Sequence, residues 1–271
     1  MSQPVPKRNL SHPLIRRNGV PNTFFSRLVF SLSRLADVPL QYQILRYGLG
    51  TPTIEALGGQ VLLPYLPAAT QQGAITSFLG LSPYRTVLLA MSVGSMLKQN
   101  YWVLRVSRDE MSPFQSIGVG LFNGFMNSLN SLVFLNTATS AISTPPEEWD
   151  LTSPRLLVGS ALFVTGIALE WISEVQRKAF KDDPRNQGKV YMDGLFGMAR
   201  HINYGGYMLW RAGAATAAGG WTFGAVIGLF NFFFFERSSI PELDEYCSLR
   251  YDRAWAEYKR RVPYKLLPYI W

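Results

Sequence analysis

The residues Glu170-Trp171-Ile172-Ser173-Glu174-Val175-Gln176-Arg177-Lys178-Ala179-Phe180-Lys181 close an apolar run that begins near Leu156. After a short loop the chain resumes as Gly194-Leu195-Phe196-Gly197-Met198-Ala199-Arg200-His201-Ile202-Asn203-Tyr204-Gly205-Gly206-Tyr207-Met208-Leu209-Trp210. On a helix, Glu170, Glu174, Arg177 and Lys181 share one face, because they recur at steps of four, three and four residues. Ionisable groups at the end of an apolar helix are costly unless they face a cavity or a ligand. The basic-polar group Arg200, His201, Asn203 and Tyr204 then opens a second apolar run. Function is expected where the charged helix end meets that group.

The rest of the chain places this stretch in a membrane. Charged residues make up 16%, against about 25% in soluble proteins, and hydrophobic residues 48%. From Ser112 to Pro146 there is no Asp, Glu, Lys or Arg, a run longer than the roughly 20 residues that cross a bilayer. The net charge of +8 sits in tails and short connections beside apolar runs. Such charge reports topology and anionic headgroups; no nucleic-acid module accompanies it, so no nucleic-acid partner is expected. Cys247 is the single cysteine and His12 and His201 the two histidines. No intrachain disulfide can form, and no metal site is expected. The N-terminus lacks an apolar core with a small-residue cleavage site, so no signal peptide is expected.

The expected fold is all-α and polytopic. Residues 1–23 form a basic tail, and Phe24–Ala36 alternates basic and apolar faces like a helix lying in the interface. Six spans follow: Thr53–Ala69, Tyr84–Val103, Phe114–Ile142, Leu156–Ile172, Tyr204–Ala218 and Trp221–Phe235. The last two form a helical hairpin across Gly219-Gly220. Six spans put the basic connections and both tails on one side, the cytosol. Ser239-Ile240-Pro241-Glu242 has capping-box spacing. It starts a cytosolic amphipathic helix with Leu243, Cys247, Tyr251, Ala254, Trp255 and Tyr258 on its apolar face. The chain thus divides into residues 1–50, tail and interfacial helix, and residues 51–271, the membrane domain, with 170–271 as its cofactor-binding half.

Polar stripes run through the spans: Ser92, Ser95 and Gln99 in one, Asn123, Asn127 and Asn130 in another. They imply an internal cavity or interhelical glue. Arg177, Lys178, Lys181, Lys189, Arg200, His201, Arg250 and Arg253 converge with Asn203 and Tyr204, a set suited to a phosphate-bearing cofactor. Gly118-x-Gly120-x-x-x-Gly124 has the wrong spacing for a dinucleotide fingerprint and is read as a packing motif. Neither Ser-His-Asp nor Cys-His catalysis has support. Glu55, at the edge of the first span, is a candidate proton donor on physical grounds.

At these residues the chain resembles the membrane superfamily of steroid 5-alpha-reductases and sterol reductases. The resemblance rests on Glu170, Glu174-Val175-Gln176-Arg177, Phe180, Gly194-Leu195-Phe196, Arg200-His201-Ile202-Asn203-Tyr204 and Trp210. It continues in the tail through Asp244, Cys247, Tyr251, Trp255, Tyr258, Val262-Pro263-Tyr264-Lys265 and Pro268, and so covers about 170–271. It implies an endoplasmic-reticulum enzyme that uses NADPH to reduce a carbon–carbon double bond of a hydrophobic substrate. By position, Gln176, Lys181, Arg200, His201, Asn203, Tyr204, Arg250 and Tyr251 would hold the cofactor, and Asp244 would serve catalysis or cofactor orientation. Three positions depart from the family pattern: Glu174 replaces Asp, Ile202 replaces Pro, and Tyr207 stands where many members have Glu. An aromatic there also fits the isoprenylcysteine carboxyl methyltransferases, which use S-adenosylmethionine. A non-catalytic membrane scaffold is the third alternative.

Overall fold

The computed structural model describes residues 23–64, 73–107 and 111–271. The basic tail up to residue 22, the end of the expected first span at residues 65–69 and residues 108–110 lie outside them. Among the described residues there is no strand, only an isolated antiparallel bridge between Val61 and Asn136. The helices are α1 (Thr23–Tyr47), α2 (Thr51–Ala56), α3 (Ala74–Leu79), α4 (Pro83–Tyr101), α5 (Pro113–Leu135), α6 (Pro154–Asp182), α7 (Ile202–Phe234), α8 (Ile240–Tyr251) and α9 (Arg253–Arg261).

Two expectations for the N-terminal part need correction. The interfacial helix is the first half of the long helix α1, and its polar face points inward. Arg34 is 0% exposed whereas Leu32 is 54% exposed; Ser26, Asp37 and Gln41 are buried, and Phe24, Phe25, Leu28 and Leu35 face out. A helix with this polarity is stable only if lipid covers its outer face and other polar groups meet its inner one. Those groups come from α4 and α5, against which α1 packs. Residues 53–64 of the expected span Thr53–Ala69 do not form one helix: α2 ends at Ala56, Gly58 takes a left-handed φ of 79°, and residues 59–64 are non-helical. The glycines and Pro64 break the run before it reaches spanning length.

Helix α5 begins with a capping box in which Ser112 accepts from the Gln115 backbone and the Gln115 side chain accepts from that of Ser112. Like α1 it buries its polar stripe (Asn123, Asn127, Ser131) and exposes Phe114, Leu121 and Phe125. Gly120 lets it approach α1, since a Cβ there would lie 2.2 Å from Ser33 Oγ. Helix α4 is capped by Ser82 and anchored by a buried Arg85–Glu148 ion pair at 2.7 Å. Helices α6 and α7 touch backbone to backbone: a Cβ on Gly166 would lie 2.4 Å from Trp210 N, and one on Gly213 2.5 Å from Gly159 O. Small residues that let backbones meet are the usual means of joining helices in lipid.

Helix α7 is the expected hairpin. Gly219 and Gly220 leave helical geometry, Gly220 with φ 75°, and the two halves run back along each other. Gly224 lies against Thr216, and Gly228 against Ala212. Among the described residues two segments, Pro154–Asp182 and Ile202–Tyr251, are long and apolar enough to cross a membrane, fewer than the six expected. Polar residues lower the hydropathy of α1, α4 and α5, and those residues are the ones turned inward.

The expected capping box at Ser239 does not form. The chain runs helically from α7 through residues 235–239 into α8, and Ser239 itself is α-helical without a side-chain cap bond. The chain turns at Asp252, with φ 45°, and α9 folds back. The expected apolar face is present, with Cys247, Trp255 and Tyr258 buried beside Val190 and Val262. This C-terminal cap sits over the charged end of α6 and encloses the cavity described next.

Candidate functional site

A cavity of about 710 Å³ opens between the end of α6, the 183–200 loop and α8–α9, within the roughly 300–1,000 Å³ range of cofactor and ligand sites. Arg177, Lys178, Lys181, Arg200 and Arg250 line it, against the carboxylates Glu174 and Asp183. Both carboxylates are engaged locally. Glu174 pairs with Arg177 at 2.5 Å and accepts from Asn203 at 2.7 Å, while Asp183 accepts from Arg185. The lining therefore keeps an excess of cations. Trp102, Tyr191, Phe196, Tyr251 and Trp255 supply flat aromatic walls.

The motif residues are held by backbone geometry. The Arg200 and His201 amides donate to the Tyr264 and Lys265 carbonyls at 3.0 and 2.7 Å. Arg200 donates from Nη1 to the Val262 and Pro263 carbonyls, and its buried Nε has no acceptor among the described residues. His201 is buried; burial first, then the Arg200 charge, push its pKa down to about 3. It is neutral at physiological pH. Tyr258 donates to the Phe196 carbonyl at 2.8 Å, and burial pushes its phenol upward. Lys181 donates to Tyr251 Oη at 3.2 Å and to the Lys189 carbonyl.

Six of the eight proposed cofactor residues line the cavity: Lys181, Arg200, His201, Asn203, Arg250 and Tyr251. The other two stand behind it. Gln176 accepts from the Leu195 amide at 3.0 Å and braces the turn at Gly194, whose φ is 58°, so that Phe196 faces the cavity. Tyr204 stacks between His201 and Phe235. Asp244 is not in the lining. Its carboxylate accepts from Trp255 Nε1 at 2.7 Å and from Lys259 at 3.1 Å, so it orients a cavity wall. Glu55 is exposed on α2, beside the C-terminal end of α5, at the opposite end of the bundle.

Sequence reasoning missed Trp102 and Val106, which reach the cavity from residues 102–106 at the end of α4. Trp102 follows Ser92, Ser95 and Gln99 at three- and four-residue steps, so it continues their face; that was the available signal. It also missed Lys98, which pairs with Glu170 in the interior while Trp210 Nε1 donates to the same carboxylate at 2.8 Å.

Residues 121–262 match a family described as a protein of unknown function (DUF1295). The chain belongs to that family. It is a steroid 5-alpha-reductase-like family, and the match starts upstream of the motif region. A probable O-methyltransferase, ustE, of Ustilaginoidea virens is 38% identical over 80% of this chain and 76% of its own length. The Delta(14)-sterol reductase of Arabidopsis thaliana is 27% identical over 45% of this chain, and that of Saccharomyces cerevisiae 31% over 31%. These matches cover 36% and 19% of the two reductases.

Proposed function

We propose that this protein is an NADPH-dependent membrane reductase that saturates a carbon–carbon double bond of a steroid, sterol or other lipid-soluble substrate. The observation that carries this reading is the cation excess of the aromatic-walled cavity. A dinucleotide phosphate brings several negative charges and two flat rings, and guanidinium groups bind phosphate oxygens in pairs. Lys181, Arg200, Arg250 and Tyr251 would hold the phosphates, with His201 and Asn203 deeper in the cavity. Bound NADPH supplies a hydride. The chain's part is to orient the cofactor, exclude water through α8–α9 and supply a proton at the second carbon. Glu174 meets the cavity as the acceptor that holds Arg177 and Asn203, whereas Asp244 acts through Trp255.

In the same reading α1, α4, α5, α6 and the two halves of α7 make six membrane crossings, in the endoplasmic reticulum. The cavity and both termini then face the cytosol, as the basic residues around the cavity favour.

One observation favours a second reading, S-adenosylmethionine-dependent methyl transfer. The relative from Ustilaginoidea virens is named a probable O-methyltransferase, and Tyr207 here occupies a position where many reductases carry Glu. Cofactor binding by the detergent-purified chain separates the two. NADPH binding tighter than NADH, and weakened about tenfold in Arg250→Ala, is the expected result. S-adenosylmethionine binding in place of NADPH would replace the reductase reading with the methyltransferase one.

A further inference from the structure

The bundle interior holds a second polar site that neither cofactor reading uses. Arg34, Lys98 and Arg211 are all under 5% exposed. They face two carboxylates. Arg34 pairs with Asp37 at 2.7 Å, and Lys98 with Glu170. Arg211 has no carboxylate among the described residues. Its guanidinium donates only to neutral oxygens: Tyr207 Oη at 3.1 Å, Asn127 Oδ1 at 3.4 Å and Asn123 Oδ1. It also lies over the Trp210 ring at 4.2 Å. Three buried cations against two carboxylates leave one positive charge uncompensated inside an apolar bundle. A charge so placed is costly and marks a functional group.

Three features point to a ligand. Arg34 Nε is a buried donor without an acceptor among the described residues, as an acidic oxygen would require, while the buried Gln99 Oε1 and Asn130 Oδ1 are open acceptors that suit a bound water. Gln99 donates to the same Asn123 oxygen as Arg211, and Asn127 links Arg211 to Asp37. Asn127 and Asn130 also line a small cavity of about 20 Å³ together with Ser92, Ser95 and Ser131. That is room for about one water molecule, which a polar ligand atom can replace. Finally, Asn203, Tyr207 and Arg211 succeed one another every four residues along α7. Arg211 thus lies two turns, roughly 12 Å, from the cofactor cavity that Asn203 lines.

We propose that Arg211 holds an acidic oxygen, a carboxylate or its equivalent, at the polar end of a lipid-soluble substrate whose reacting carbon or oxygen reaches the cavity. The proposal rests on the reading of the chain as an enzyme for a lipid-soluble substrate, and serves a reductase or an O-methyltransferase equally. The bound acid neutralises the spare charge. The roughly 12 Å separation sets the distance from acidic group to reacting atom, which selects by length as well as charge.

The test uses the full chain in zwitterionic nanodiscs without NADPH or S-adenosylmethionine, so its failure is distinct from failure of either cofactor assignment. The probe is cis-parinaric acid, a conjugated long-chain carboxylate that accepts energy from tryptophan, compared with its methyl ester. Saturable acid binding at least tenfold tighter than the ester is expected. Arg211→Met should bring the acid to the level of the ester, and Arg211→Lys should restore part of the preference. The Met variant should unfold at or above the wild-type temperature, because it removes an unpaired buried charge. Equal binding of acid and ester, binding of neither, or an acid preference surviving in Arg211→Met overturns the proposal. Markedly earlier unfolding of Arg211→Met also overturns it, by making the arginine a structural brace.

Discussion

The two ends of the bundle use the same residue types to opposite effect. At the α2–α5 end, Arg85 is enclosed: it bonds both oxygens of Glu148 and the carbonyls of Leu45 and Leu62. At the other end, Arg177, Lys181, Arg200 and Arg250 surround open volume and outnumber the carboxylates beside them. The first arrangement satisfies every charge with protein and is a brace. The second leaves positive potential for something that the chain does not supply. Counting cations against carboxylates within each cluster, and not across the chain, separates structure from binding.

The comparison breaks most sharply at Glu148. Glu148→Ala leaves Arg85 buried without its carboxylate, a change that typically costs about 3–5 kcal/mol. Thermal unfolding in detergent should show a large loss of stability. If NADPH binding were the first property lost while unfolding stayed unchanged, the brace would have been misread. Asp37→Asn should act likewise on the Arg34 side, at roughly 3 kcal/mol, with cofactor affinity retained in the folded fraction.

At the open end the effects should move to binding. Arg250→Ala should weaken NADPH binding by about tenfold, since a charge-assisted bond contributes about 1.5–3 kcal/mol, and leave the unfolding temperature near that of wild type. Calorimetric titration with NADPH and with NADH reads this directly. Equal losses for both would place Arg250 away from the extra phosphate.

The smallest effect concerns pH. His201 is held neutral with its pKa near 3, below the unfolded value of about 6.5. The unfolded state therefore binds the proton first. The stability tied to His201 is complete above about pH 6.5 and falls as the pH drops from there toward 3. Unfolding temperature measured across that window should decline less steeply in His201→Gln than in wild type.

Reading the sequence worked best where spacing alone fixes geometry. The Glu170–Trp210 stretch, the Gly219-Gly220 hairpin and the apolar face of Cys247, Trp255 and Tyr258 follow from helical periodicity and from glycine's tolerance of positive φ. It misread α1, because amphipathic periodicity is the same whether the polar face looks at water or at other helices. Residues 53–64 misled although Gly58, Gly59 and Pro64 are legible in the sequence as interruptions, because apolar composition was given more weight than those breakers. Lys98 was missed because its partner Glu170 lies on a helix distant in the chain, whereas Trp102 continues the legible Ser92, Ser95 and Gln99 face.

By itself, then, the sequence determined that this is a helical, membrane-type chain and where its charged helix end meets the Arg-His-x-Asn-Tyr element. Both are local properties, set by hydropathy over a span and by residues one or two turns apart. Tertiary structure alone decided which charges are paired. Lys98 finds Glu170 and Arg85 finds Glu148 across long stretches of chain, while Arg211 finds only amides, a phenol and aromatic rings. A charge's partner is set by distance in space, and helix packing brings together residues whose separation in sequence carries no signal.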